Sequence, residues 1–236
     1  MLLEGQVFST MGKMKQLVLF IVEGITDKVA LEGVVSCMFD TSKTAIKITR
    51  GDITYDTSIS VADIISQVCE HINNFCETEH YSSDNIEKII HVIDTDGAFV
   101  NEKYIQPGEN KKVKYFDDHI EIKNVDYMIN RNKHKSVLVR KLFGTRKIND
   151  IPYQILFFSR NMEHLLHNEP NDLTDEQKMD LANEFADLFT ENKEAFTTFI
   201  NDNTFAVPGS YRETWDFIYK ETNSLKRFSN FHLAFE

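Results

Sequence analysis

The sequence predicts an α/β fold: a mostly parallel sheet flanked by helices, with a helical C-terminal appendage. Three observations carry that prediction. Residues 17–22 and 153–158 are short, almost wholly apolar runs, as strands buried on both faces require. Residues 60–77 place Val61, Ile64, Ile65, Val68 and Ile72 three and four apart, the spacing of one helical face. The two patterns alternate as β-α-β-α-β over the first hundred residues, which implies parallel pairing through right-handed crossovers.

In chain order, residues 1–15 read as a loose extension, with Met11 and Met14 as alternative internal starts. Strand 17–22 is followed by a helix over 26–38, with Thr26 as its cap and Val29, Ala30, Gly33 and Val34 at helical spacing. Residues 44–49 alternate and are rich in β-formers, so they read as the second strand, closed by Arg50-Gly51-Asp52. The helix over 60–77 leads to the third strand, 88–93. From 98 to 150 the pattern gives way to a polar, basic insert with short strands at 113–116 and 120–123 and a helix over 134–143. Strand 153–158 restores the sheet and closes a domain spanning 16–170. Residues 171–236 are helical, with Phe185, Leu188 and Phe189, then Phe196, Phe199 and Ile200, on apolar faces and a last helix over 211–219.

Length and composition suit a globular chain. At 236 residues it can bury a real core, and 42% hydrophobic with 27% charged residues is ordinary. The longest apolar run is too short to span a bilayer, and no basic start leads into an apolar core, so neither membrane insertion nor a signal peptide is expected. Cys37, Cys69 and Cys76 are odd in number and lack C-x-x-C spacing; they read as thiols of a reducing cytoplasm. The net charge of −11 is unevenly spread. Residues 101–150 hold 12 Lys and Arg against 7 Asp and Glu, whereas residues 161–221 hold 4 against 14. Only the middle of the chain can offer an electrostatic footprint to phosphates.

Chemistry concentrates where strands stop. The first strand runs into Glu23-Gly24-Ile25-Thr26-Asp27 and the third into Asp94-Thr95-Asp96-Gly97. In an open α/β sheet, ligands bind outside the carboxyl ends of the strands. On extended chain, Asp94 and Asp96 project to one face and repel unless a cation sits between them, and hard carboxylate oxygens suit Mg²⁺ or Mn²⁺. Taken alone, Asp-Thr-Asp-Gly reads equally as a solvated turn. Asp27 reads either as a supporting ligand or as an acid placed favourably at a helix N-terminus. After strand 153–158 come Ser159, Arg160 and then Glu163, which reads as a further ligand or as a helix-surface carboxylate. With it, two ions and an in-line phosphoryl displacement come within reach.

The strand-Glu23-Gly24-x-x-Asp27 and strand-Asp94-x-Asp96-Gly97 elements resemble the Toprim domain over residues 15–168. The block 155–167, with Asn161-Met-Glu163-His-Leu-Leu-His167, is similar to the post-strand Glu element of stand-alone OLD-, RloB- and AbiLii-like nucleases of phage defence. That likeness implies a Toprim-like sheet, with Glu23, Asp94, Asp96 and Glu163 as catalytic groups. Glu23, Asp94, Asp96, Asp27 and Glu163 would hold Mg²⁺ or Mn²⁺, as one or two ions. The approach to Glu163 departs from the Asn-Pro of RloB-like chains, and the 97–150 insert matches no subgroup. The likeness also gives the basic set Arg131, Lys133, Lys135, Arg140, Lys141, Arg146 and Lys147 a role in neutralising a nucleic-acid backbone; a solvated helix face is the alternative.

The expected function is therefore a cytoplasmic Mg²⁺-dependent Toprim nuclease cutting DNA or RNA, an abortive-infection effector. No motif positions a nucleophilic Tyr, which argues against a topoisomerase. Two alternatives stay open. One is a regulated effector released by an ABC-type ATPase partner, since no Walker A sequence is present. The other is a Toprim scaffold that binds nucleic acid without cutting. A homo-oligomer is compatible with each.

Overall fold

Every side chain of the first strand after Gln16 is buried, and they divide by parity between two cores. The strand is β1 (Gln16–Val22) of a computed structural model that describes residues 16–40, 44–50, 53–54, 56–169 and 173–236, with side chains at 47 and 48 only within 44–50. Val18, Phe20 and Val22 join one core, and Leu17, Leu19 and Ile21 the other. This is the period-2 consequence of a strand covered on both faces. The N-terminal extension and the turn at Gly51-Asp52 lie outside the described residues.

The chain then runs α1 (Ile25–Ser36), β2 (Thr44–Arg50), α2 (Ile64–Glu79) and β3 (Ile86–Asp94). A three-stranded insert follows, with β4 (Ile105–Pro107), β5 (Lys114–Tyr115) and β6 (Ile120–Ile122), then α3 (Val125–Phe143), β7 (Lys147–Ile148) and β8 (Ile151–Phe158). The C-terminal third holds α4 (Met162–His167), α5 (Asp175–Phe189), α6 (Lys193–Ile200) and α7 (Tyr211–Ile218).

The main sheet has the order β2-β1-β3-β8-β7. Its first four strands are parallel, and only β7 runs antiparallel, against β8. It is thus a mostly parallel mixed sheet with helices on both faces. From β1 the chain steps to β2 on one side and returns to β3 on the other. Connections of one hand must then cover opposite faces, and α1 and α2 do lie in different cores. The direction of winding reverses between β1 and β3, the place where open sheets of this kind take ligands, outside the carboxyl ends.

The C-terminal third belongs to both cores. On one face α5 packs against α1, and Phe185, Phe189 and Phe196 join Phe20 and Leu31. On the other, Trp215 is fully buried between Phe157 and Phe143, with ring centroids 5.0 and 5.4 Å away. Among the described residues no helix is long and apolar enough to cross a membrane.

Several elements differ from the sequence expectation. Helix α1 starts at Ile25 with Gly24, not Thr26, as its cap, and the Asp27 carboxylate accepts a hydrogen bond from Gly24 N–H at 2.8 Å. The helix expected over 134–143 begins nine residues earlier, at Val125. Its first half was hidden because its buried stripe turns polar there. The insert forms a separate sheet of order β4-β6-β5 around Ile105, Ile120, Ile122 and Met128.

Candidate active site at the carboxyl edge of the sheet

Three parallel strands end side by side, and each hands its chain to an acidic residue. Strand β1 leads into Glu23 and, one turn on, Asp27; β3 ends in Asp94 and turns into Asp96; β8 leads through Ser159 and Arg160 to Glu163 in α4. Pairing of Asp94 with Phe158 and of Ile21 with His91 brings the three ends to one edge. Asp94 feels Glu23, Asp27, Asp96 and Glu163 electrostatically, so all five sequence-predicted acids share one field.

The turn after β3 is built for this edge. Asp96 adopts a left-handed conformation at φ 47°, and Gly97 follows at 66°. The extended geometry expected to align Asp94 with Asp96 is therefore absent; the chain turns, and Asp96 faces α3. A Cβ on Gly97 would lie 2.7 Å from Leu225 and 2.9 Å from Ile120, so glycine is needed for space as well as for φ. Thr95, fully buried, donates to the Ser224 carbonyl at 3.1 Å and accepts from Arg160 N–H at 2.8 Å. Asp96 N–H donates to the Arg160 carbonyl at 2.8 Å. The ends of β3 and β8 are thus tied together by backbone and by one hydroxyl.

Helix α3 lies over the edge and supplies cations from inside. Its buried stripe runs Met128, Arg131, Asn132, Lys135, Leu138, Val139 and Leu142, and the polar members sit above the acids. Lys135 is 1% exposed; its Nζ is 2.6 Å from Asp96 Oδ2 and 3.5 Å from Glu23 Oε1, so one ammonium bridges the ends of β1 and β3. Arg131 lies 3.3 Å from Asp96 Oδ2 and donates to the Asp96 carbonyl at 3.2 Å. Asn132 donates to the Gly97 carbonyl at 3.1 Å. Thr54 donates to Glu23 Oε1 at 3.0 Å, and Lys178 of α5 pairs with buried Glu163 at 3.3 Å. Among the described residues, no ammonium or guanidinium group lies within ion-pair distance of Asp94 or Asp27.

That unequal pairing sorts the acids electrostatically. Burial, reinforced by Glu23 and Asp27, pushes the Asp94 carboxyl well above the usual carboxylate range. Burial likewise lifts Asp27 to about 6, with Glu163 adding to the rise and the Gly24 N–H opposing it. Burial acts on Asp96 in the same direction, but Lys135 and Arg131 outweigh it and hold that carboxyl low. Lys135 stays firmly protonated because Asp96 and Glu23 overcome its desolvation. The same balance with Glu163 raises Lys178.

The basic set separates in space. Arg131 and Lys135 point into the acidic edge. Lys133, Arg140, Lys141, Arg146 and Lys147 are exposed. Lys133 pairs with Glu102 at 2.6 Å, Arg140 lies over the Tyr219 ring at 3.9 Å, and Arg146 over Tyr211 at 5.3 Å. Ser159 and Arg160 are consumed internally: Ser159 N–H donates to the Phe228 carbonyl at 2.8 Å, and Arg160 NH2 to the Leu225 carbonyl at 2.9 Å.

Sequence reasoning missed Thr54, Thr95, Asn132 and Lys178. Asn132 was reachable by extending the buried stripe of α3 backwards from Leu142 in helical steps. Thr54 and Lys178 carry no local signal; tertiary packing alone brings them in.

The donor set suits a hard divalent cation. Every acid offers carboxylate oxygen, and the most strongly perturbed one, Asp94, is the one a cation would relieve. Among the described residues no three Asp, Glu, His or Cys side chains are already placed to hold a metal ion together, and Lys135 and Arg131 stand beside Asp96. No family model matches the chain, and no curated protein and no solved structure matches it.

Proposed function

We propose that the protein is a Toprim-type, Mg²⁺- or Mn²⁺-dependent nuclease that hydrolyses phosphodiester bonds at the carboxyl edge of its sheet. One observation supports this reading: acids from three adjacent parallel strand ends lie at one edge, where Asp94, raised by burial, is further raised by Glu23, Asp27, Asp96 and Glu163 and has no ion-pair partner among the described residues. Glu23, Asp94, Asp96 and Glu163 are the residues that would hold the cation, with Asp27 in support. A bound divalent cation supplies Lewis-acid polarisation of phosphoryl oxygen and activation of water.

The chain's own residues do the remaining work. Thr54 and Lys135 fix the Glu23 carboxylate, and Lys135 and Arg131 fix Asp96, so neither has to reorganise when substrate arrives. Gly24 N–H locks Asp27, and Lys178 orients Glu163. The protonated Lys135 also keeps the Asp96 carboxylate beside it ionised.

Cleavage assays with single-stranded and duplex DNA and RNA test this reading. Wild type cuts at least one substrate only with Mg²⁺ or Mn²⁺, and Glu23→Gln lowers the rate by about 100-fold or more while staying folded. Cleavage that is unchanged by chelation or by Glu23→Gln contradicts it.

A second reading has its own observation. Lys135 and Arg131 already neutralise Asp96 and Glu23 in part, as a metal-free scaffold that binds nucleic acid without cutting would need. Tight binding of nucleic acid with no cleavage under any metal condition favours it. The ATPase-released effector and the phage-defence role rest on the Toprim likeness, and cleavage that appears only on adding a cognate ABC-type ATPase would support the former.

A further inference from the structure

Beside the acidic edge, a cavity of about 360 Å³ opens between the small insert sheet and α3. Asp96 and Arg131 stand at one end of it, Val113, Tyr115 and Ile122 line it with apolar and aromatic surface, and Lys111, Lys112 and Tyr127 complete its wall. A second cavity of about 720 Å³ shares Lys111, Ile122 and Tyr127 and extends the concavity outward past Lys123. The size is that of small-ligand sites, and the lining combines a flat aromatic face with ammonium groups.

Tyr127 is the unusual member. It is 48% exposed, although it lies in the first turn of a well-anchored helix. The Asn124 side chain accepts a hydrogen bond from Tyr127 N–H at 3.0 Å, which fixes the backbone that carries the ring. No role in the core explains it, since the buried stripe of α3 starts one residue later at Met128. Tyr115 belongs to the wall from the other side and is fixed by Arg131, whose NH1 donates to its hydroxyl at 3.5 Å.

A held aromatic face beside lysines is the arrangement by which proteins take unpaired bases: the base stacks on the ring and the backbone phosphate meets the cations. In a duplex both faces of each base are already stacked, so the ring would gain nothing from it.

We propose that this cavity binds one unstacked nucleotide of a single-stranded nucleic acid, with its base on Tyr127 and its phosphate at Lys111 and Lys112. The adjoining phosphodiester is thereby delivered towards Asp96. This rests on the nuclease reading for its catalytic meaning, but binding is measurable without catalysis. The acidic edge would then act on unpaired strands, and the insert between β3 and α3 is the element that selects them.

The test is fluorescence anisotropy in excess chelator, with a labelled mixed-sequence single strand of about 12 nucleotides, as DNA and as RNA, and the matching duplexes. Single strands bind at least about tenfold more tightly than duplexes. Tyr127→Ala weakens single-strand binding by about 5- to 100-fold, the loss of one stacked base, whereas Tyr127→Phe keeps it. Phe116→Ala, at an exposed aromatic outside the cavity, leaves binding unchanged. Lys111→Ala lowers the slope of log affinity against log salt by about 0.7, one phosphate contact. Equal binding of duplex and single strand, or an intact response in Tyr127→Ala, overturns the single-strand inference and leaves the nuclease reading standing. Absence of binding to any nucleic acid also overturns the single-strand inference, while the nuclease reading is decided separately by the cleavage assay with Mg²⁺ or Mn²⁺.

Discussion

At the scale of single residues, the site is a set of identical functional groups made unequal by their neighbours. Asp96 has two cationic partners and stays ionised; Asp94 is driven up by burial and by the acids around it. A carboxyl whose pKa is raised by folding adds stability only at low pH, below its unfolded value near 3.9, and loses it as pH rises through the folded value. Asp94 therefore strains the cation-free protein at neutral pH. Asp94→Asn is expected to raise Tm by about 2–4 °C at pH 7 in chelator, with the gain shrinking as pH falls towards 4; calorimetry across pH checks this, and the substitution abolishes metal-dependent cleavage. Glu23, Asp94, Asp96 and Glu163 could be picked out from the sequence because each lies within five residues of the end of an apolar run. Their partners could not. Lys135 read as one member of a basic surface set, yet it is 1% exposed, because sign of charge says nothing about which side of a helix faces the core.

At the scale of elements, hydrophobic periodicity located β1, α1, α2, β3 and β8, since core covers most of the apolar residues that mark their faces; α2 starts at Ile64, later than expected, and Val61 ahead of it is exposed. It failed where a buried face is polar. The first half of α3 buries Arg131, Asn132 and Lys135 against charges contributed by other elements, a pairing no local window contains. The two-residue β7 is likewise specified by pairing with β8, not by its own composition. Packing of α1 on α5 shows how tightly the C-terminal third is joined to the sheet. A Cβ on Gly33 would lie 2.6 Å from Thr190 Oγ1 and 3.1 Å from its Cγ2, so a side chain there requires Thr190 to shift or turn. Gly33→Ala is expected to destabilise the fold by about 1–3 kcal/mol through overpacking. Adding Thr190→Ala should recover most of the loss, with helix propensity then favouring alanine. Denaturant titration of the two single variants and the double variant measures the coupling, and additive effects would contradict the packing.

At the scale of the whole molecule, one sheet keeps two apolar cores apart and gathers its buried charge at a single edge. The exception lies inside: His91 is fully buried, 2.7 Å from the Tyr153 hydroxyl, and desolvation depresses its pKa to about 3, aided by His71 and Lys135. A histidine depressed by folding contributes stability that is complete above its unfolded value near 6.5 and is lost as pH falls towards the folded one. Wild-type stability should thus decline below about pH 6.5, and His91→Gln should flatten that decline in denaturant midpoints measured from pH 7 to 4. The α/β class was legible in sequence because strand and helix periods alternate cleanly. Two strands of the insert, β5 and β6, were legible as short runs at 113–116 and 120–123, but β4, the assembly into a separate sheet and its cavity were not, because so few residues show no period. The central claim is that the carboxyl edge holds a divalent cation. Calorimetric titration of the purified protein with Mn²⁺ at pH 7 tests it most directly. Saturable binding that Asp94→Asn weakens by about tenfold or more is expected; binding that is absent, or unchanged in Asp94→Asn, rules out a cation at this edge.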